Sequence, residues 1–145
     1  MTATPVPAQF PQPVNSILLA GGSGAPARAR RHLRAHLDAG VSDSLASDAI
    51  LIVSELVTNS VMHAHVGADQ AILLELTALG DHLRIAVVDP GSPLEPRILP
   101  ADPDRPGGCG LRIVHHMSSA WGVVRNAAGT TRVWCDLPLD RARLS

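Results

Sequence analysis

The sequence contains no lysine and no tyrosine, and its aromatic residues are one phenylalanine and two tryptophans. All 12 basic residues are therefore arginines, and they face 13 acidic residues for a formal net charge of −1. Proteins that bind nucleic acid need a surplus of basic side chains to displace counterions from phosphates, and many stack bases on aromatic rings. The composition therefore argues against direct nucleic-acid binding and predicts a core of aliphatic side chains.

Cysteines and long apolar runs are also scarce. The two cysteines, Cys109 and Cys135, cannot form a four-cysteine zinc site or a disulfide framework, which is typical of a reducing cytoplasm. The longest early apolar run, residues 17–20, is too short for a signal-peptide core or a membrane span. We therefore expect a cytoplasmic protein that does not enter a membrane.

The 145 residues are 46% hydrophobic, which suits a single domain with a substantial core. Residues 1–13 hold four prolines and no charged side chain, so they are predicted to be a disordered tail. The domain is expected to span residues 14–140 and to be followed by a C-terminal tail, residues 141–145.

Hydrophobic periodicity and turn residues predict both helices and strands. The helices are expected at about 26–39, 42–65 and 109–120, and the strands at 16–20, 70–78, 82–89, 122–126 and 131–137. The connection 90–106 holds six of the 12 prolines and is either a functional lid or a disordered loop. Short turns make two strand pairs antiparallel hairpins. The order indicates an α+β fold, a two-layer α/β sandwich whose mostly antiparallel, mixed sheet carries helices on one face.

A glycine motif near the N-terminus, Gly22-x-Gly24-x-x-Ala27, follows a strand and begins a helix, as a dinucleotide-binding fingerprint does. That fingerprint requires a parallel strand after the helix, whereas a second helix is predicted here. A flexible turn is therefore the better interpretation of these glycines.

The second predicted helix carries three polar residues at intervals of four, Glu55, Asn59 and His63. Steps of four positions stay on one helix face, so the three side chains form a row among apolar neighbours. A solvated polar face is one interpretation of this row. The other is a site in which Asn59 offers an oxygen to a hard cation such as Mg²⁺ and Glu55 acts as a general base.

Two further segments carry glycines beside candidate ligand-binding groups. Asp89-Pro90-Gly91 follows a strand, and it is either an ordinary turn or a carboxylate that faces a ligand where the backbone approaches closely. Gly107-Gly108-Cys109-Gly110-Leu111 begins the third helix. Exposed amides at a helix N-terminus form an anion site, so phosphates suit this segment.

In combination, these segments resemble the motifs of the GHKL ATPases. Residues 54–64, Ser-Glu-Leu-Val-Thr-Asn-Ser-Val-Met-His-Ala, resemble the N box of that superfamily and are especially similar to its anti-sigma-factor serine kinases. Residues 89–91 and 107–111 are similar to its two glycine boxes, and residues 129–134 to the Gly-Thr segment that follows. The resemblance covers about residues 15–138, and the N box is its most specific part.

The resemblance implies a Bergerat α/β sandwich that binds ATP between its helical layer and a mobile lid. Asn59 would coordinate Mg²⁺, Glu55 would be the catalytic base, and His63 would belong to the nucleotide-binding residues. Asp89 would accept a hydrogen bond from the adenine amino group, with clearance from Gly91 and support from Thr131. In the second glycine box, Gly108 and Gly110 would present amides to the phosphates. The other nucleotide-binding residues of this box would be Gly107, Cys109 and Leu111.

The function implied by the resemblance is a serine/threonine protein kinase. It would phosphorylate an anti-anti-sigma partner of the STAS type and otherwise hold a sigma factor inactive, with a homodimer as a further option. The alternative is an ATP-binding interaction module without catalysis.

Two departures from the family pattern keep both functions open. Pro93 stands where the first glycine box has a second glycine, and the lid has no lysine for the γ-phosphate. Arg105 is the candidate for that contact, or else it is an ordinary exposed charge; Arg112 is a weaker candidate.

The first predicted helix is the remaining feature with two interpretations. Its face with Arg28, Arg31 and Arg34 is either a docking surface for an acidic partner or a solvated face.

Overall fold

The first half of the chain supplies one edge of the sheet and the two larger helices. A computed structural model describes residues 15–37, 41–91 and 110–138, so the predicted tails and nearly all of the predicted lid lie outside the described residues. The elements in chain order are β1 (Asn15–Ala20), α1 (Ala25–His36), α2 (Asp43–His63), β2 (Ala71–Ala78), β3 (His82–Asp89), α3 (Gly110–Met117), β4 (Ala120–Arg125) and β5 (Thr131–Pro138). The predicted type of every element is confirmed.

Three helix ends differ from the prediction. Leu37 is extended, with ψ of 133°, so α1 ends at His36. The helix α2 ends at His63 because His65 adopts a left-handed conformation with φ of 54°. The helix α3 ends at Met117 instead of reaching Ala120, since the amide of Ser119 donates to the carbonyl of Asp136 at 2.9 Å and draws the chain into the sheet.

The five described strands form one sheet in the order β1-β2-β3-β5-β4. Every pairing among them is antiparallel, which confirms the expected mostly antiparallel sheet and leaves no parallel pair within the described ranges. The side chains that point toward the helices from the central strands are apolar and buried. They include Ile72, Leu74, Ile85, Val87, Val133 and Cys135. Burial raises the pKa of the Cys135 thiol to about 12.

The helix α2 lies at the centre of the helical layer, where it packs against α1, α3 and the sheet. Its apolar stripe is at most 1% exposed and consists of Ala49, Ile52, Val53, Leu56 and Val57. Among the described helices, α2 is the one long and apolar enough to cross a membrane by length and composition. Because this stripe packs into the domain core, the apolar composition is explained by the fold itself.

The N-terminal glycines have a packing role. A Cβ added at Gly21 would overlap the carbonyl oxygen of Gly67, because the turn after β1 lies directly against the turn between α2 and β2. The Gly21 amide donates to Gln70 at 2.9 Å and the Gly22 amide to Val66 at 2.8 Å. The element after α1 is a second helix, so the interpretation of this motif as a turn is confirmed.

Candidate functional site

The ends of β3 and β5 bring together three of the residues singled out in the sequence. Asp89 is the last residue of β3 and pairs directly with Thr131, the first residue of β5. Both are buried, with 6% and 2% of their surface exposed. The backbone amide of Gly91 donates a hydrogen bond to Asp89 Oδ1 at 2.7 Å. This bond turns the chain back over the strand end and fixes the Asp89 carboxylate in place.

Gly91 occupies a position that only glycine fits. Its φ is +94°, a left-handed conformation that side chains rarely adopt. A Cβ at this position would overlap the carbonyl oxygen of Gly129 and would lie 3.5 Å from Thr131 Oγ1. The resemblance implies that Gly91 gives clearance to a ligand. The structure shows a second reason for glycine here, because the backbone at Gly91 lies against the backbone at Gly129.

The Thr131 hydroxyl is the least satisfied group of this arrangement. Its Oγ1 atom is buried and has no hydrogen-bond partner, a state shared within the described residues only by Arg28 Nε. Buried polar atoms in proteins are nearly always hydrogen-bonded, and an exception calls for a ligand or an ordered water. One oxygen of Asp89 is occupied by Gly91. The second oxygen and the Thr131 hydroxyl therefore suit a ligand that presents an N–H donor.

The polar row on α2 is at the boundary between the core and solvent. Asn59 is 7% exposed and its neighbour Ser60 is 3% exposed, so this part of the helix is not an ordinary solvated face. Glu55, one turn earlier, is half-buried, and the loss of solvation raises the pKa of its carboxyl group. A carboxylate with a raised pKa accepts a proton more readily, which is the property of a general base. His63 is the last residue of α2, and its side chain lies outside the description.

Of the second glycine box, residues 107–111, the structure describes only Gly110 and Leu111. Gly110 is the first residue of α3, and the Leu111 side chain is buried in the core, so only the backbone of Leu111 is available to a ligand. The candidates Arg105, Gly107, Gly108 and Cys109 lie outside the described residues. Arg112, on the first turn of α3, is partly exposed.

A divalent cation would have to be held with few protein ligands. Within the described ranges, no group of three or more histidine, cysteine, aspartate or glutamate side chains could hold a metal ion. Mg²⁺ does not need such a cage, because it keeps several waters and is commonly bound through one or two side chains together with substrate phosphates. The side-chain amide of Asn59, a residue that is 7% exposed and one helical turn from Glu55, fits that role.

One residue of this region, Asn126, was missed by the sequence reasoning. Asn126 organises the turn between β4 and β5, because its Oδ1 accepts from the amides of Ala128 at 2.9 Å and Thr130 at 3.2 Å. This turn carries Gly129, whose carbonyl oxygen lies against Gly91. The available signal was an asparagine followed three residues later by a glycine, a combination typical of turns in general and therefore unspecific.

Comparison with known proteins identifies what this arrangement is similar to. The family model of the histidine kinase-like ATPase domain matches residues 24–135. A solved structure of the blue-light activated histidine kinase of Erythrobacter litoralis EL346 matches with 22% identity and a TM-score of 0.51, over 82% of this chain and 42% of that one. The histidine kinase domain of that protein matches with 21% identity and a TM-score of 0.48, over 81% of this chain and 61% of that one.

The chain thus spans less than two thirds of either structure. At these identities the structural likeness concerns the fold alone. None of the curated proteins compared with the chain matches it.

Proposed function

Since the chain belongs to the family of histidine kinase-like ATPase domains, and is therefore an ATP-binding domain of the GHKL superfamily, we propose that it is a serine/threonine protein kinase. In this proposal ATP binds beside Asp89, Gly91 and Thr131, and the γ-phosphoryl group passes to a hydroxyl of a partner protein. The observation that carries the nucleotide site is the buried, unpartnered Thr131 hydroxyl beside a carboxylate with one oxygen in use.

The adenine base is recognised through its amino group. Asp89 Oδ1 is held by the Gly91 amide, so the second carboxylate oxygen accepts from the adenine amino group. The Thr131 hydroxyl, one strand away, completes its own hydrogen bonding with the base or with a water that bridges to it. Recognition of a buried polar edge in this way discriminates strongly, because a base without the matching donor leaves the carboxylate unsatisfied.

The transfer step relies on the polar row of α2. Mg²⁺, when bound through Asn59, neutralises charge on the phosphates. Glu55 accepts the proton of the attacking serine or threonine hydroxyl, the hydroxyl oxygen bonds to the γ-phosphorus, and ADP departs with the electron pair of the broken bond. The raised pKa of Glu55 favours this proton transfer. Because the chain has no lysine, further positive charge at the γ-phosphate comes from arginine, with Arg105 as the first candidate and Arg112 as the second.

The partners proposed are an anti-anti-sigma protein of the STAS type as phosphoacceptor and a sigma factor as the protein held inactive, in the cytoplasm. The support for these partners is the amino-acid sequence of residues 54–64, which resembles that of the anti-sigma-factor serine kinases. A second copy of the chain is a further partner in this proposal.

A matched pair of carboxamide variants tests the kinase claim. With labelled ATP, Mg²⁺ and a cognate anti-anti-sigma protein, we expect Glu55→Gln to bind ATP normally and to lose phosphotransfer by about 10²-fold or more, because a general base contributes on that scale. The control is Asp48→Asn, a partly exposed carboxylate nearly two turns earlier on α2, which should keep full activity. The product should be an acid-stable phosphoester, since a phosphohistidine would be lost in acid.

The same experiment addresses the alternative, an ATP-binding interaction module without catalysis. The observations that favour it are Pro93 in the first glycine box and the absence of lysine from the chain. In that case the wild-type protein binds ATP and its confirmed partner but transfers no phosphate, and Glu55→Gln leaves both binding events unchanged. Undiminished transfer by Glu55→Gln would instead reject Glu55 as the base.

A further inference from the structure

A groove runs along the free edge of β1, away from the nucleotide site. The strand β1 is the first of the sheet and is separated from β3, which carries Asp89, by β2. The groove has a volume of about 400 Å³, with residues 17–20 of β1 on one side and Arg28, Arg31, His32 and Ala35 of α1 on the other. It therefore combines an extended backbone with a basic helix.

Among the described strands, β1 pairs on one side only, so part of its backbone faces this groove. The amide of Gly21 bonds to Gln70 in the β1–β2 ladder, and bonded pairs alternate in an antiparallel ladder. By this alternation Ile17 and Leu19 bond to β2, whereas Ser16, Leu18 and Ala20 point their N–H and C=O groups outward. The Ala20 carbonyl confirms this direction, because Arg28 donates to it at 2.9 Å. Within the described residues, no strand pairs with the outward groups of Ser16 and Leu18.

The helix beside this edge carries uncompensated positive charge. Arg28, Arg30, Arg31 and Arg34 lie within the 12 residues of α1, which contain no acidic side chain. The ion pairs of the described residues involve Arg84, Arg132 and His82, and none of them involves an arginine of α1. Arg31 is exposed and lines the groove, so its charge faces whatever occupies the groove.

We propose that the edge of β1 takes up an extended segment of a partner protein as an additional strand, and that this segment alternates acidic and apolar side chains. Successive side chains of a strand point to opposite sides. The acidic ones would face Arg31 on the helical side, and the apolar ones would lie beside Leu18, which is 69% exposed on the other side of the sheet. Backbone pairing supplies affinity and the arginines supply selectivity, as in other cases of β-strand addition.

Two other occupants fit the groove less well. A second copy that paired through its own β1 would bring two α1 helices, each with four arginines and no acid, onto the same side of the joined sheet. The N-terminal residues 1–14 carry no charged side chain and include four prolines, which cannot donate to a strand ladder. Charge and backbone chemistry therefore both favour an acidic segment from another protein.

The test uses the isotopically labelled full chain, titrated with a short peptide of alternating valine and glutamate while amide NMR shifts are followed. We expect saturable shift changes confined to β1 and α1, and weaker binding as salt concentration rises. Arg31→Glu should weaken binding about threefold to tenfold, because reversal of one exposed charge changes a surface ion pair on that scale. Arg34→Glu, the same charge change on the same helix outside the groove, is the matched control and should retain most of the affinity.

A proline variant tests the backbone pairing separately. In Ser16→Pro the lost amide points outward, so the β1–β2 ladder and the thermal stability should persist while peptide binding falls. Binding that survives Ser16→Pro, or that Arg31→Glu and Arg34→Glu weaken equally, overturns the proposal. A dimer in sedimentation that Ser16→Pro dissociates would also overturn it, in favour of a second copy. Because none of these measurements involves ATP, failure here is distinguishable from failure of the nucleotide site.

Discussion

At the scale of single residues, the proposed nucleotide site depends on polar groups whose hydrogen bonding the fold leaves incomplete. Asp89 has one oxygen bonded to the Gly91 amide, and Thr131 Oγ1 has no partner. The buried carboxylate of Asp136 differs, because both of its oxygens accept hydrogen bonds from Arg84, at 2.7 and 2.9 Å. The contrast with Asp136 supports the proposal that Asp89 and Thr131 bind a ligand.

A second residue-scale feature, His32, links stability to pH. Burial lowers its pKa below 6.5, and the neighbouring His36, whose ring centroid is 4.1 Å away, adds to this effect. The folded chain therefore binds fewer protons at His32 than the unfolded chain does, and the free energy of unfolding decreases as pH falls through about 6.5. We expect urea unfolding at pH 7.5 and 5.5 to show a smaller loss of stability in His32→Gln than in the wild type.

The matched control for this measurement is His116→Gln, an exposed histidine of α3. It should leave the pH dependence of unfolding close to that of the wild type. An identical pH dependence in the wild type and His32→Gln would show that His32 does not contribute to it.

At the scale of elements, α2 connects the core with the site. Its apolar stripe is buried against the sheet, and the adjacent face presents Glu55 and Asn59 at the boundary with solvent. The position of these two residues therefore depends on where the helix begins and how firmly it is anchored. The Ser42 side chain accepts a hydrogen bond from the Leu45 amide at 3.1 Å and caps the N-terminus of α2.

Removal of this cap should destabilise the domain measurably. We expect Ser42→Ala to lower the free energy of unfolding by about 0.5–2 kcal/mol, the usual cost of a lost N-cap side chain. Ser47→Ala, at an exposed position in the interior of the same helix, should be neutral or slightly stabilising, because alanine is the better helix former. Equal unfolding midpoints for the two variants in denaturant would contradict the assignment of the cap.

The helices and strands also show how much of the fold the sequence determines. Every helix and strand was predicted because its apolar residues recur with the period of its own type, as in Leu45, Ala49, Ile52 and Val53 of α2. The end of α3 could not be predicted, because it depends on a hydrogen bond from Ser119 to Asp136, 17 residues later. The direction of Arg28 was also unpredictable, since its guanidinium turns from the helix surface to the carbonyls of Ala20 and Gly21.

In the candidate site, some residues could be placed from the sequence and others could not. The spacing of Glu55 and Asn59 is local information, so helical geometry alone places them on one face. The meeting of Asp89 with Thr131, 42 positions later in the chain, depends on the pairing of β3 with β5. The resemblance to the GHKL motifs is what placed these two residues in one site. The contact of Gly91 with Gly129 and the role of Asn126 required the structure, because glycine and asparagine occur in turns of every kind.

At the scale of the whole molecule, the sheet has two different faces. One carries the helices, and the other is partly covered by its own charged side chains, the pairs Arg84–Asp136 and Arg132–Glu75. The Arg84 guanidinium also lies 4.5 Å from the ring centroid of Trp134. Ala86, which pairs with Glu75 and Trp134 in the sheet, is only 1% exposed although it lies on the face opposite the helices. The proposed nucleotide site at the ends of β3 and β5 and the groove at β1 are separate, because β2 lies between β1 and β3.

Calorimetry with Mg-ATP and Mg-GTP on the wild-type protein and on Asp89→Asn tests the central claim most directly. Asparagine keeps the oxygen that accepts from Gly91 but replaces the second oxygen with a donor, which cannot accept from the adenine amino group. We expect one ATP per wild-type chain, with Mg-GTP and the Asp89→Asn variant each giving affinities weaker by about tenfold to a hundredfold, the cost of an unsatisfied buried group. Equal affinity for ATP and GTP, or undiminished ATP binding by a folded Asp89→Asn variant, would contradict the account.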